Sequence, residues 1–135
     1  MKRLLFRKTQ RLVTNGQIMT VISRKCWAQN SLARLYAAAN TCNYPRLGIS
    51  ISKSCGNAVL RNRLKRRFRE AFRVNQHDIP ADFDYLLIIS HKMTKTNKNA
   101  YADKLTCWTQ DKLEAAFLEL IEKAVKKAKN RPART

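Results

Sequence analysis

Arg61, Asn62, Arg63, Lys65, Arg66 and Arg69 are crowded into one short run, inside the stretch RLGISISKSCGNAVLRNRLKRRFREAFR from Arg46 to Arg73. Nine basic residues (Arg46, Lys53, Arg61, Arg63, Lys65, Arg66, Arg67, Arg69, Arg73) stand there against one acid, Glu70. Guanidinium and ammonium groups donate hydrogen bonds, accept none and keep their charge at neutral pH. The chemistry on offer is therefore phosphate neutralisation, not proton transfer. A nucleophile or general base needs an activating partner, and no Ser/His/Asp set, Cys/His set or Gly-rich phosphate loop occurs in the chain. No catalytic residue is expected. Asp78, Asp82 and Asp84 lie close enough in sequence to hold a cation, yet they bracket a turn and a strand start and are expected to punctuate those elements. No protein metal site is expected, and His77 falls in a polar turn.

Charge selects the partner class. The 135 residues carry a formal net charge of +19, which repels itself and attracts a polyanion. One domain is expected at this length, and 44% hydrophobic residues suffice for one core. An anionic membrane is a poor alternative, because no run approaches the ~20 apolar residues of a spanning helix. The N-terminal MKRLLFRKTQR has only Leu4-Leu5-Phe6 as an apolar patch, too short for a signal-peptide core. A cytoplasmic protein is expected. Cys26, Cys42, Cys55 and Cys107 lack zinc-site spacing and are expected to be reduced thiols.

The cations must be presented by something rigid. Leu60, Leu64, Phe68 and Ala71-Phe72 recur at helical spacing, so a helix capped by Asn57 is expected to run to about Val74. Lys65, Arg66, Arg69 and Arg73 then fall on its opposite face. Arg61–Lys65–Arg69–Arg73 forms an i,i+4 ladder of like charge, each pair costing a few tenths of a kcal/mol, roughly. An external anion would relieve that repulsion.

Before the helix, Arg46–Ser52 alternates as a strand, with Leu47, Ile49 and Ile51 on one face and Gly48, Ser50 and Ser52 on the other. Leu32–Ala39 reads as a second strand, with Ala33, Leu35, Ala37 and Ala39 opposed to Leu32, Arg34 and Tyr36. The face carrying Gly48, Ser50, Arg34 and Tyr36 is expected to be low and open, so that a sugar–phosphate chain approaches closely while Tyr36 stacks a base. Asn15 would cap a helix over Gln17–Lys25 containing Ile18, Val21 and Ile22, and residues 26–31 would connect it to the first strand. Phe83–Ser90 reads as a central strand buried on both faces, Lys92–Lys104 as a loop, and Gln110–Lys129 as an amphipathic helix with outer Glu119–Lys123 and Glu122–Lys126 pairs. Trp27 and Trp108 are expected to pack. Residues 1–14 would be a flexible basic arm, 15–129 the folded domain and 130–135 a frayed tail. The fold class is α+β: a single-domain α/β sandwich with one sheet.

Gly48, Ser52-Lys53, Gly56-Asn57-Ala58-Val59, Arg61-Asn62-Arg63, Lys65-Arg66 and Arg69-Glu70, in this order and spacing, resemble the signature of the bacterial ribonuclease P protein component. The match is dense through the Arg46–Arg73 stretch and weaker over most of the remaining chain. The resemblance implies a mixed sheet of about four strands, a short strand near Lys53–Cys55, and two parallel strands joined through the basic helix by a left-handed crossover. A right-handed connection is the general rule. It further implies an accessory subunit of the ribonuclease P holoenzyme, an endoribonuclease that removes the 5′ leader of precursor transfer RNA. Its RNA subunit does the cleaving, with Mg²⁺ held by RNA and substrate rather than by the protein.

On this resemblance Lys53, Asn57, Arg61, Asn62, Arg63, Lys65, Arg66 and Arg69 would bind the catalytic RNA, and Tyr36, Arg34, Arg46, Ile18 and Ile22 would meet the leader. Many members carry phenylalanines where this chain has Ile18 and Ile22, and an arginine where it has His91; both departures weaken the expected leader contacts. The partners would be the catalytic RNA and precursor transfer RNA, with neither membrane nor DNA. Three alternatives stay open: a structural RNA-binding protein of ribosomal type, an autonomous nuclease built on Asp78, Asp82 and Asp84, and a DNA-binding regulator.

Overall fold

The computed structural model describes residues 10–12, 15–30, 33–40, 44–89 and 108–130. Its elements in chain order are α1 (Asn15–Ser23), β1 (Trp27–Gln29), β2 (Arg34–Ala39), β3 (Arg46–Ile51), α2 (Ala58–Asn75), β4 (Phe83–Ile89) and α3 (Gln110–Asn130). The strands form one mixed sheet in the order β1-β2-β4-β3. β1 pairs antiparallel with β2, and β2 with β4, whereas β3 and β4 run parallel with α2 between them in the chain. The α+β class and the mixed four-stranded sheet are those expected.

β4 sits centrally because it can be buried on both faces. Phe83, Tyr85, Leu87 and Ile89 join the main core, while Leu86 joins a second cluster on the other side. In the main core α2 contributes Leu64, Phe68, Ala71 and Phe72, and α3 contributes Leu113, Phe117, Leu120, Ile121, Ala124 and Val125. The two helices meet edge-to-face through Phe68 and Phe117, whose ring centres are 5.7 Å apart. Of the two ion pairs expected on the outer side of α3, Glu119–Lys123 is formed, at 2.7 Å. Asn57 caps α2 as expected, its side-chain oxygen accepting from the Leu60 N–H at 2.9 Å.

Three local expectations are corrected. The segment 26–31 is not merely a connector, because Trp27–Gln29 adds the edge strand β1. Lys53–Cys55, for which the family resemblance implied a strand, forms one 3₁₀ turn between β3 and α2. Helix α1 ends at Ser23, and Lys25 takes a left-handed conformation (φ 57°) that turns the chain into β1. The Lys92–Lys104 loop, Cys42 and Cys107 lie outside the described residues, whereas Cys26 and Cys55 are buried thiols outside any disulfide, donating to the Arg24 and Ile89 carbonyls.

The sheet face expected to be open is largely covered. Leu12, Val21, Tyr36, Ala38 and Leu86 form a second buried cluster, with Ile18, Ile22, Trp27 and Ile88 packed against it. Residues 10–12 fall within the expected flexible arm, yet they are seated on β3: Arg11 bridges to Leu47, and the Leu12 N–H donates to the Leu47 carbonyl at 3.1 Å.

Candidate nucleic-acid interface

Helix α2 turns its apolar stripe inward, so the residues between the stripe positions face away from the core. Asn62, Arg63 and Arg66 are exposed, while Arg61, Lys65 and Arg69 are half-exposed. Arg63, Lys65, Arg66 and Arg69 make no ion pair among the described residues. Lys53 is exposed on the 3₁₀ turn that leads into the helix. Asn57 is exposed, but its side chain is committed to capping. Arg61 donates from Nε to the Gly56 carbonyl at 3.2 Å and so helps to fix the helix start.

Not every cation of the stretch is available to a ligand. Arg67 turns toward α3, donating to the Gln110 side-chain oxygen at 3.2 Å and to the Trp108 carbonyl, while Gln110 returns a bond to the Arg67 carbonyl at 3.0 Å. Arg73 is paired with Glu70 one turn back, its Nε 3.0 Å from Oε2. That hydrogen bond is the main cause holding the Glu70 carboxyl below the usual range.

One residue outside the helix joins the cationic face. Arg11, held against β3, meets α2 across a cavity of about 430 Å³ lined also by Asn62, Arg66, Arg69, Glu70 and Arg73. Partial burial and the neighbouring Arg11 charge both lower the Arg69 pKa, burial more strongly. Like charges held this closely favour an anion between them. Aperiodicity in residues 1–14 hid Arg11. The signal that could have revealed it is Gly48, where a Cβ would lie 3.0 Å from Leu12 Cβ; the glycine admits the crossing segment.

The residues expected to meet a leader are not brought together in one open cleft. Tyr36 is only 9% exposed, within the second cluster. Ile18 and Ile22 are half-buried on α1 and pack against that cluster. Arg46 is bound through both arms to Asp84, at 2.6 and 2.7 Å. His91 lies outside the described residues.

What stays accessible is the neighbouring transverse row. Strand register aligns Ser50, Ile88, Arg34 and Gln29 across all four strands, and each of them is exposed or half-exposed. Three interstrand gaps make this row about 14 Å long. It begins on β3, just before the turn carrying Lys53, and ends on β1.

Among the described residues no group of three His, Cys, Asp or Glu side chains converges. Asp84 is committed to Arg46 and Asn40. The described residues thus bring together no ligand set for a Mg²⁺ ion. Among them, also, no helix is long and apolar enough to cross a membrane.

The family model described as Ribonuclease P matches residues 6–113. The chain is 32% identical over 118 residues to the ribonuclease P protein component of Clostridium botulinum, covering 87% of this chain and 96% of that one. It is 31% identical over 125 residues to the ribonuclease P protein component of Haemophilus influenzae, covering 92% and 100%. The fold is similar to that of the RNase P protein from Thermotoga maritima, with a TM-score of 0.70 at 27% identity over 83% of this chain and 94% of that one. The RNase P protein of Staphylococcus aureus is also similar, with a TM-score of 0.59 at 28% identity over 84% and 99%.

Proposed function

This chain belongs to the ribonuclease P protein family, and on that premise we propose how its two accessible surfaces divide the work of binding RNA. It is the protein subunit of the ribonuclease P holoenzyme, which matures transfer RNA 5′ ends, and its partner is the ribonuclease P RNA. The exposed face of α2 is the anchor for that RNA. Arg63, Lys65, Arg66 and Arg69, with Arg11 across the cavity and Lys53 at the helix entry, supply phosphate contacts, while Asn57 and Arg61 hold the helix start in place. The observation that carries this reading is a cationic face on which Arg63, Lys65, Arg66 and Arg69 make no ion pair among the described residues, with Arg11 from another segment across the cavity from it.

The second surface receives precursor transfer RNA. A single-stranded 5′ leader crosses the open row from Ser50 to Arg34, beside Ile18 and Ile22 of α1. Within this reading Tyr36 and Arg46 support the sheet beneath the leader and do not contact it. Mg²⁺ is held by RNA and substrate phosphates, where it would activate the attacking water. The protein's share is to screen phosphate repulsion and to hold substrate and RNA together, which reduces the freedom lost at the reacting bond.

The experiment is cleavage of precursor transfer RNA at low Mg²⁺ with RNA alone, protein alone and both together. Cleavage at the mature 5′ end in the mixture, with neither component active alone, is expected. RNA binding without stimulation would contradict this reading and favour a purely structural RNA-binding role.

A further inference from the structure

The geometry points to a nucleotide platform at the free edge of the sheet, built from Trp27, Arg34 and Lys127, which takes a base and its phosphate from the far part of the leader. This rests on the leader-binding reading above, in which Arg34 already lies on the leader's path, and extends it to Trp27 and Lys127. The Arg34 guanidinium carbon lies 4.1 Å from the centre of the Trp27 ring. Its Nε and Nη2 both donate to the Gln29 side-chain oxygen, at 3.1 and 3.0 Å. The guanidinium is thus held on one face by the indole and along one edge by an amide. It has no carboxylate partner among the described residues and stays half-exposed.

A second cation approaches the same ring. Lys127 of α3 places Nζ 5.3 Å from the Trp27 ring centre and donates to the Trp27 carbonyl at 2.9 Å. One cation is enough to cover an indole in a packing role. Two on the same indole repel each other, and a phosphate would relieve them.

Bases stack on guanidinium planes as well as on aromatic rings, and such stacking tolerates any sequence. Because Arg34 is already fixed by Trp27 and Gln29, little side-chain freedom is lost on binding. Location supplies the remaining argument. Arg34 and Gln29 end the accessible row that begins at Ser50, so a strand leaving the α2 end of the molecule reaches the platform after about 14 Å. The platform therefore reads leader length, not the cleavage site.

The test uses holoenzyme reconstituted with variant protein and precursor transfer RNAs carrying either a long leader or one too short to cross the sheet. Arg34→Gln and Trp27→Leu are expected to weaken binding of the long-leader substrate about five-fold or more, leaving the short-leader substrate unchanged. In a Trp108→Phe background, Trp27 fluorescence should change on binding the long leader alone. Equal losses for both substrates would overturn the platform, as would no loss for either, or an unresponsive Trp27. Melting curves of free Arg34→Gln protein identify any fold defect, which the short-leader arm would also report. Failure of the unaltered protein to stimulate cleavage would instead overturn the leader reading itself.

Discussion

Asp84 on β4 receives both arms of the Arg46 guanidinium on β3, at 2.7 Å from Nε and 2.6 Å from Nη2, and a third hydrogen bond from Asn40 at 2.7 Å. The two residues are register partners in the parallel pair, so the ion pair fastens the first rung of that ladder. Removing Arg46 leaves a carboxylate that is 7% exposed with one remaining side-chain donor. Arg46→Ala is expected to cost about 2–3 kcal/mol, read as a lower urea midpoint at unchanged slope. Salt dependence of RNA binding should not change, and a shallower dependence would return Arg46 to the phosphate contacts.

Arg66 and Arg67 are neighbours in sequence with opposite assignments. Arg66 is exposed on the cationic face, whereas Arg67 is tied to Gln110 and the Trp108 carbonyl. Arg66→Ala should leave the melting temperature nearly unaltered and reduce the magnitude of the log–log salt slope by about 0.7–0.9. Arg67→Ala should cost about 1–2 kcal/mol of stability and leave the slope alone. Equal slope changes in the two variants would contradict the division of α2 into binding and packing cations.

How much of this was legible follows the range of the interactions. Helix α2 could be read because both its apolar period and its Asn57 cap act within a few residues. β4 could be read because burial on both faces writes a continuous apolar run. Strand β1 could not, since Trp27-Ala28-Gln29 is too short to show alternation and is defined by pairing with β2. The alternation in β3 correctly grouped Gly48 with Ser50, but alternation cannot say what covers a face. Leu12 and Leu86 cover Gly48 and leave Ser50 exposed. Arg46 and Arg67 looked like their neighbours because the groups that hold them, Asp84 and Gln110, lie 38 and 43 residues away.

Glu70 restrains one cation of the binding face. Its carboxyl is held below the usual range first by the Arg73 hydrogen bond and then by the Arg73 charge, against a small opposing effect of burial. A depressed folded value means that the pair's stability is complete above the ordinary glutamate pKa and lost as pH falls through the lowered value. At neutral pH the ionised Glu70 carboxylate therefore offsets the Arg73 charge. Glu70→Gln should release it, tighten RNA binding and steepen the salt slope by about 0.7–0.9. An unchanged slope would show that no phosphate comes near Arg73.

Tyr85 offers a prediction at the alkaline end. Its side chain is fully buried and its hydroxyl donates to the Pro80 carbonyl at 2.7 Å. Burial, followed by the Asp82 and Asp84 charges, raises its pKa well above the ordinary tyrosine value. The native state then keeps a proton that the unfolded chain releases above about pH 10. Stability should fall as pH rises past that point, by at most about 1.4 kcal/mol per pH unit from this group. Denaturation across an alkaline series should show a shallower decline for Tyr85→Phe, and equal declines would contradict the assignment.

Gly48 links the fold to the binding face. A Cβ there would lie 3.0 Å from Leu12 Cβ and 3.2 Å from Leu86 Cδ1, with the Leu12 carbonyl at 3.4 Å. The segment that holds Arg11 beside Arg69 is therefore seated only because β3 carries no side chain at this point. Gly48→Val should push residues 10–12 away from β3 and cost about 1–3 kcal/mol by overpacking. If Arg11 contributes to the phosphate site, the same variant should also lose up to about 0.9 from the magnitude of the salt slope, and Arg11→Gln should reproduce that loss without the destabilisation. A destabilised Gly48→Val with an unchanged slope would remove Arg11 from the interface and leave α2 to bind RNA alone.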